Sequence, residues 1–325
     1  MKRLAVVVTA GAAVLGLAGC GPAERPWALS PTGVTSESTT APPTTSSTSE
    51  TRSSSFTPST SSERTSALPT PDGDVRNDPL LGGNPVTLEQ GVGVGQVDCQ
   101  LPGWRNNPDA NQAYYQAAIG CLDNAWRPTL SHFGETLESP RLWAGANAQT
   151  YDGACASGER NREAFYCGQD QTIVMPFDTM NSLTGSANGA GAAFAVISHE
   201  YGHHLQQQTR VLAQYSAQRT AAGWDSGPGL QMSRQLELQA WCFSGMFFGV
   251  NLGRGSISQD LWRKAANNNS GAGDRRGEAR QHGTNQNVSN WFGWGFSPTL
   301  DRNQRPAPST YECNPWAARD NGWIQ

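Results

Sequence analysis

His199-Glu200-Tyr201-Gly202-His203 is the segment whose residue types and spacing could do chemistry. Histidines four apart on a helix lie one above the other, so both imidazoles can face one tetrahedral metal, and zinc suits such a nitrogen-rich set. Glu200 stands beside the first imidazole. There its carboxylate can take a proton from an attacking water and pass it to a leaving amine, while zinc polarises the scissile carbonyl. Shuffling a chain with 5 histidines and 13 glutamates would produce this H-E-x-x-H pattern in roughly three cases per thousand. Chance is therefore a poor explanation.

A catalytic zinc takes three protein ligands and keeps a fourth position open. The extension H-E-x-x-H-x-x-G-x-x-H is absent, because Gln206 and Thr209 stand where its glycine and third histidine would be. Glu237, an acid in the otherwise apolar Leu236-Glu237-Leu238-Gln239-Ala240, is the candidate third ligand. A salt bridge from Glu237 to Arg234 on a solvated face is the equal alternative. His282 either steadies the oxyanion of a tetrahedral intermediate or is a loop histidine bonded to backbone. His204 points away from the metal side as an outer partner or a solvated ring, and His132 reads as structural.

These residues need helices to position them. Phe194, Ile197, Tyr201 and Leu205 form one stripe, which predicts a helix over residues 192–208 behind a Gly/Ala/Asn-rich loop. Leu236, Ala240, Phe243 and Phe247 predict another over 230–249. An earlier helix starts near Asp109 and stops before Pro128. Arg141-Leu142-Trp143-Ala144 and Gln171-Thr172-Ile173-Val174-Met175 read as short strands. Beyond Gly253 only residues 257–266 look helical, and residues 267–273 read as a loop. The tryptophans read as core rather than as a glycan platform.

The N-terminus carries a different message. Lys2 and Arg3 precede an apolar run that ends in Leu17-Ala18-Gly19-Cys20. That is the layout of a secretory signal, too short to span a bilayer, with a lipobox-like tetrapeptide. Cleavage before Cys20 would leave a cysteine bearing two acyl chains, enough for lasting attachment to the extracytoplasmic face of the cell membrane. The alternative is an ordinary secreted chain cut near Ala18 or Gly19. Residues 20–93 are rich in Ser, Thr and Pro and poor in apolar side chains, so they are expected to be a disordered linker of about 45 Å mean reach. Residues 94–325 then form one folded domain.

Removal of residues 1–19, which hold two bases and no acid, takes the net charge from −4 to −6, so the chain is no polybasic nucleic-acid binder. Six cysteines remain besides Cys20, an even number that in an exported chain points to three disulfides. Fifteen pairings of six are formally open. The sequence-near choices are Cys99–Cys121 and Cys155–Cys167, which leave Cys242 for Cys313. None has the C-x-x-C spacing of a structural zinc site.

Several segments occur in an order and spacing that resemble the YpfJ-type neutral zinc metallopeptidase family. They are His199-Glu200-Tyr201-Gly202-His203-His204-Leu205-Gln206, Leu236-Glu237-Leu238-Gln239-Ala240 with Cys242-Phe243, Phe165-Tyr166-Cys167 with Asp170-Gln171, His282-Gly283-Thr284, and Trp291-Phe292. The resemblance covers roughly Cys99 to Cys313. It implies an α+β, zincin-like metallopeptidase domain, mainly helical with a small sheet, that hydrolyses peptide or protein substrates with one zinc ion. It further implies His199, His203 and Glu237 as zinc ligands, Glu200 as general base, and the strand around Ile173 as the edge along which an extended peptide lies. It also supports the pairing of Cys242 with Cys313. Two departures stand out. The family usually has Asp where this chain has Trp241, and commonly Arg where it has Val288. An acid at 241 would accept a hydrogen bond from a ligand histidine and Trp cannot, which leaves a second reading: an inactive zincin-like surface lipoprotein that binds a protein or peptide partner.

Overall fold

The computed structural model describes residues 74–156, 163–277, 279–297, 309–319 and 321–325. Cys20, the signal segment and the expected linker up to residue 73 lie outside the described residues. Packed chain begins ahead of the expected boundary at 94. Leu81 is fully buried in a small cluster with Val211, Tyr215, Met232, Leu236 and Trp316. Asp78 anchors this segment by accepting from the Nε2 amides of Gln214 and Gln218 at 2.6 and 2.8 Å. The few apolar residues before 94 are thus used, which composition alone does not show.

The elements, in chain order, are α1 (Pro85–Leu88), α2 (Pro108–His132), β1 (Arg141–Trp143), β2 (Phe165–Cys167), β3 (Thr172–Val174), α3 (Phe177–Thr184), α4 (Gly189–Gln208), α5 (Val211–Ala222), α6 (Gly227–Asn251), α7 (Gln259–Asn269) and α8 (Asn285–Phe296). The result is a mainly helical α+β domain with one small sheet, as expected. Helix α4 packs against α2, α3, α5, α6 and α7. Its predicted stripe of Phe194, Ile197, Tyr201 and Leu205 is buried throughout. Phe194 stacks on Phe247 of α6, with ring centroids 5.5 Å apart, so the two site helices share one aromatic core.

Helix α2 does not stop before Pro128 but continues to His132. Pro128 cannot donate to the carbonyl of Asn124. Both residues face solvent, so water can serve that carbonyl, while buried Thr129 and Leu130 hold the last turn against the core. Four helices lay outside the sequence reading: α1, α3, α5 and α8. Helix α7 also runs to Asn269, past the loop expected from residue 267.

The sheet has the order β1-β3-β2, with β1 parallel and β2 antiparallel to β3. Ile173 therefore lies on the central strand and has no free edge. The resemblance placed the peptide-binding edge there; β1 and β2 are the edge strands instead. The three disulfides are Cys99–Cys121, Cys155–Cys167 and Cys242–Cys313, the pairing favoured by sequence distance, with the resemblance supporting the last. Cys155–Cys167 pins the end of β2. Among the described residues, no helix is long and apolar enough to cross a membrane.

Candidate metal centre

Helix α4 presents His199, Glu200 and His203, and α6 presents Glu237. The two helices meet closely because residue 202 is glycine. A Cβ there would stand 2.8 Å from Ala240 Cα and 2.9 Å from the Ala240 carbonyl oxygen. Ser198 and Ser244 share a 2.6 Å hydroxyl hydrogen bond across the same interface.

This approach brings Glu237 Oε2 to 3.1 Å from His199 Nε2 and 3.4 Å from His203 Nε2. All three donor atoms lie within 4.8 Å of one another. Ligands about 2.1 Å from a tetrahedral zinc stand roughly 3.4 Å apart, so the two carboxylate–imidazole spacings fit one such ion. Two imidazole nitrogens and one carboxylate are also the donor set of open catalytic zinc sites. The alternative role for Glu237 does not occur, because Arg234 donates instead to the carbonyls of Ile324 and Arg280 at 2.7 and 2.8 Å.

Charge at the centre is uneven. Burial would raise the Glu237 carboxyl, but the positive His203 and hydrogen bonds from both imidazoles outweigh it and hold that carboxyl well below the usual carboxylate range. Burial lowers His199 to about 4. Burial acts the same way on His203, yet the carboxylates of Glu237 and Glu200 lift it to about 9. Glu200 is pushed up to about 7 by burial, against the pull of His203. A carboxyl near 7 can both take and return a proton at neutral pH. The backbone N–H of Tyr166, on edge strand β2, favours the charged form of the Glu200 carboxylate, as the smallest of the influences on it.

The two imidazoles of the cluster are held differently. His203 Nδ1 lies 2.8 Å from Gln206 Oε1. His199 Nδ1 is buried without a hydrogen-bond partner among the described residues. Its ring is covered face-on by Trp241, with centroids 4.0 Å and planes 24° apart. This is the consequence anticipated for tryptophan at 241. Val288 is fully buried in the core of α8 and brings no charge to the site.

His204 is neither solvated nor at the metal. It is buried, with Nε2 at 2.6 Å from the Glu138 carbonyl and Nδ1 at 3.0 Å from the Tyr166 hydroxyl. The carbonyl can only accept, so Nε2 carries the proton and Tyr166 donates to Nδ1. His204 thereby ties β2 to the back of α4. His132 makes an exposed ion pair with Glu89 at 2.8 Å. His282 is not bonded to backbone through its ring: its backbone N–H donates to Asp274 Oδ1 at 2.8 Å, its ring Nδ1 lies 3.4 Å from the same oxygen, and the half-exposed ring lines the same cleft as His199, Glu200, His203 and Glu237. That cleft has a volume of about 1290 Å³ and is walled on one side by residues 163–166 of the edge-strand segment.

A family model described as "Putative neutral zinc metallopeptidase" matches residues 86–304. The chain belongs to this zinc metallopeptidase family. YpfJ of Escherichia coli (strain K12) is 27% identical over 228 residues, covering 63% of this chain and 76% of that one. The Mycobacterium tuberculosis (strain H37Rv) protein Rv2575 is 34% identical over 179 residues, covering 52% of this chain and 57% of that one. Neither name states an activity. No solved structure matches the chain. The metallopeptidase match spans α4, α6 and the whole His-His-Glu cluster. Sequence reading found every member of that cluster but missed Gln206 as a partner. Its only signal was a spacing of three residues after His203 on one helix.

Proposed function

We propose that this chain is an active zinc peptidase, held at the extracytoplasmic face of the cell membrane by lipid on Cys20, that cleaves peptide bonds of protein or peptide substrates. One observation carries the reading: Glu200 is buried next to His199, with a pKa near neutrality, in the cleft shared by His199, His203 and Glu237. One zinc ion held by those three residues would act as a Lewis acid, polarising the scissile carbonyl and making water a better nucleophile.

Glu200 takes the proton from the attacking water and returns it to the leaving amine. Its charged form is favoured by the Tyr166 N–H. An extended substrate lies along β2, the edge strand beside the cleft, and adds a strand to the sheet through backbone hydrogen bonds. His282, which also lines the cleft, donates to the developing oxyanion. The attachment to the membrane rests on the signal layout and the lipobox-like tetrapeptide ending in Cys20.

The test is Glu200→Gln in the full chain. The variant should keep its zinc and lose about 10²- to 10⁴-fold in hydrolysis of an unfolded protein probe. Undiminished hydrolysis would sink the reading. The second reading, a binding protein without turnover, is favoured by the partnerless His199 Nδ1 under Trp241. Stoichiometric zinc together with proteolysis abolished by chelation rules it out.

A further inference from the structure

The chemistry of each atom around His203 leaves no freedom in how its hydrogens are arranged. The Trp316 indole N–H, fully buried, can only donate, and it lies 3.2 Å from a side-chain atom of Gln239. That atom must be the carbonyl oxygen, Oε1. The amide nitrogen of Gln239 then faces the main-chain carbonyl of Cys313 at 3.0 Å, which can only accept. Gln239 Oε1 accepts a second hydrogen bond, from Gln206 at 2.9 Å, so the Gln206 atom there must be Nε2. The same nitrogen donates to the Leu236 carbonyl at 2.8 Å. Gln206 Oε1 is therefore turned towards His203 Nδ1, and that nitrogen must carry a proton. Gln206 and Gln239 are both fully buried, so water cannot reverse either amide.

We propose that Gln206 and Gln239 are positioning residues, a two-amide relay that fixes a proton on His203 Nδ1 and so reserves Nε2 for the metal, with the relay anchored on the 313–316 segment. The segment is itself fastened to α6 by the Cys242–Cys313 disulfide. The relay thus links a metal ligand on α4 to a stretch of chain far along the sequence. Gln235 provides an internal contrast. It is buried on the same helix and donates to the Pro315 carbonyl at 3.2 Å, so it binds the same segment, but it does not reach His203. The proposal rests on the zinc reading of the His-His-Glu cluster for its effect on affinity, but not for the position of the proton.

The experiment uses the full, oxidised chain. Long-range 15N spectra of the histidine imidazoles, recorded metal-free and zinc-loaded, report which nitrogen of His203 is protonated. Zinc affinity is measured by competition with a chromophoric chelator for wild type, Gln206→Met, Gln239→Met and Gln235→Met. The expected result is a protonated His203 Nδ1 in both states of the wild type. Affinity should fall about 10- to 100-fold in Gln206→Met and Gln239→Met, the usual effect of losing the partner of a ligand histidine. Gln235→Met should match wild type.

An unprotonated Nδ1 in either state of the wild type overturns the relay, and so does wild-type affinity in both relay variants. If Gln206→Met fails to fold, Gln239→Met and the wild-type spectra still decide. A wild type that takes up no zinc refutes the peptidase reading, while its metal-free spectrum still tests the relay.

Discussion

Replacing Gly202 with alanine puts a methyl group where α4 and α6 already touch. The new Cβ would lie 2.8 Å from Ala240 Cα, 2.9 Å from the Ala240 oxygen and 3.0 Å from Ala240 Cβ. Two of those atoms are backbone and the third is fixed to it, so no side chain can swing aside. Carbon atoms pack at about 3.5 to 4.0 Å, so the helices must part by roughly 0.7 to 1 Å. Overpacking of this kind costs about 1 to 3 kcal/mol, and the helix preference of alanine over glycine returns about 1 kcal/mol. The metal-free protein should therefore lose little stability. The metal centre should suffer more, because the histidines ride on α4 and Glu237 on α6, and metal–ligand distances tolerate only about 0.2 Å. A loss of at least about 100-fold in zinc affinity is expected, the upper end of what losing an outer partner causes. Thermal and denaturant unfolding, with and without zinc, separate the two effects. With free zinc at about 100 times the wild-type Kd, zinc adds about 2.7 kcal/mol to the wild type, and a 100-fold weaker variant would gain only about 0.4 kcal/mol. A Gly202→Ala protein that keeps the full zinc increment refutes the claim that this helix contact sets the ligand spacing.

Two further outcomes follow from the same geometry. Trp241→Asp should offer His199 Nδ1 the acceptor it lacks and raise zinc affinity by about tenfold, at the lower end of the range for such partners. The same change empties a buried indole site and should destabilise the metal-free protein by about 3 to 5 kcal/mol, so chelator competition and unfolding should move in opposite directions. Removing the Cys242–Cys313 bridge with paired alanines releases a loop spanning 71 residues. A loop of that length corresponds to about 4 kcal/mol of unfolding free energy in the chain-entropy description, measurable as a lower denaturant midpoint.

The helices that carry the His-His-Glu cluster were legible because their buried faces are apolar and regularly spaced. Phe194, Ile197, Tyr201 and Leu205 mark α4, and Leu236, Ala240, Phe243 and Phe247 mark α6. Helix α5 was not, because much of its inward face is polar. Gln214, Gln218 and Arg219 are buried there, bonded to Asp78, Tyr215 and Ser233. Apolar periodicity cannot find a helix that buries amides and a guanidinium. Helix α8 was hidden by the low helix preference of Gly293 and Gly295. Strand β2 is three residues long, and only its pairing with β3 identifies it as an edge. Within the site, the members of the His-His-Glu cluster followed from residue type and spacing. The face-on contact of Trp241 with His199 and the relay through Gln206 depend on how two helices cross, which no local pattern encodes.

The anchoring of Gln239 on the 313–316 segment has a bearing on when the site comes into being. Helix α4 can place His199 and His203 side by side as soon as it forms, and α6 follows with Glu237. Cys313 and Trp316 arrive later in synthesis, and domains emerge from the ribosome N-terminal part first. Until they dock, Gln239 lacks its two anchors, and the Gln206 amide beside His203 is held firmly only by the Leu236 carbonyl. A growing chain therefore presents the His-His-Glu cluster before the amide relay behind His203 is complete. On the zinc reading proposed above, firm retention of an ion would be a late event that marks a chain whose distant parts have already come together.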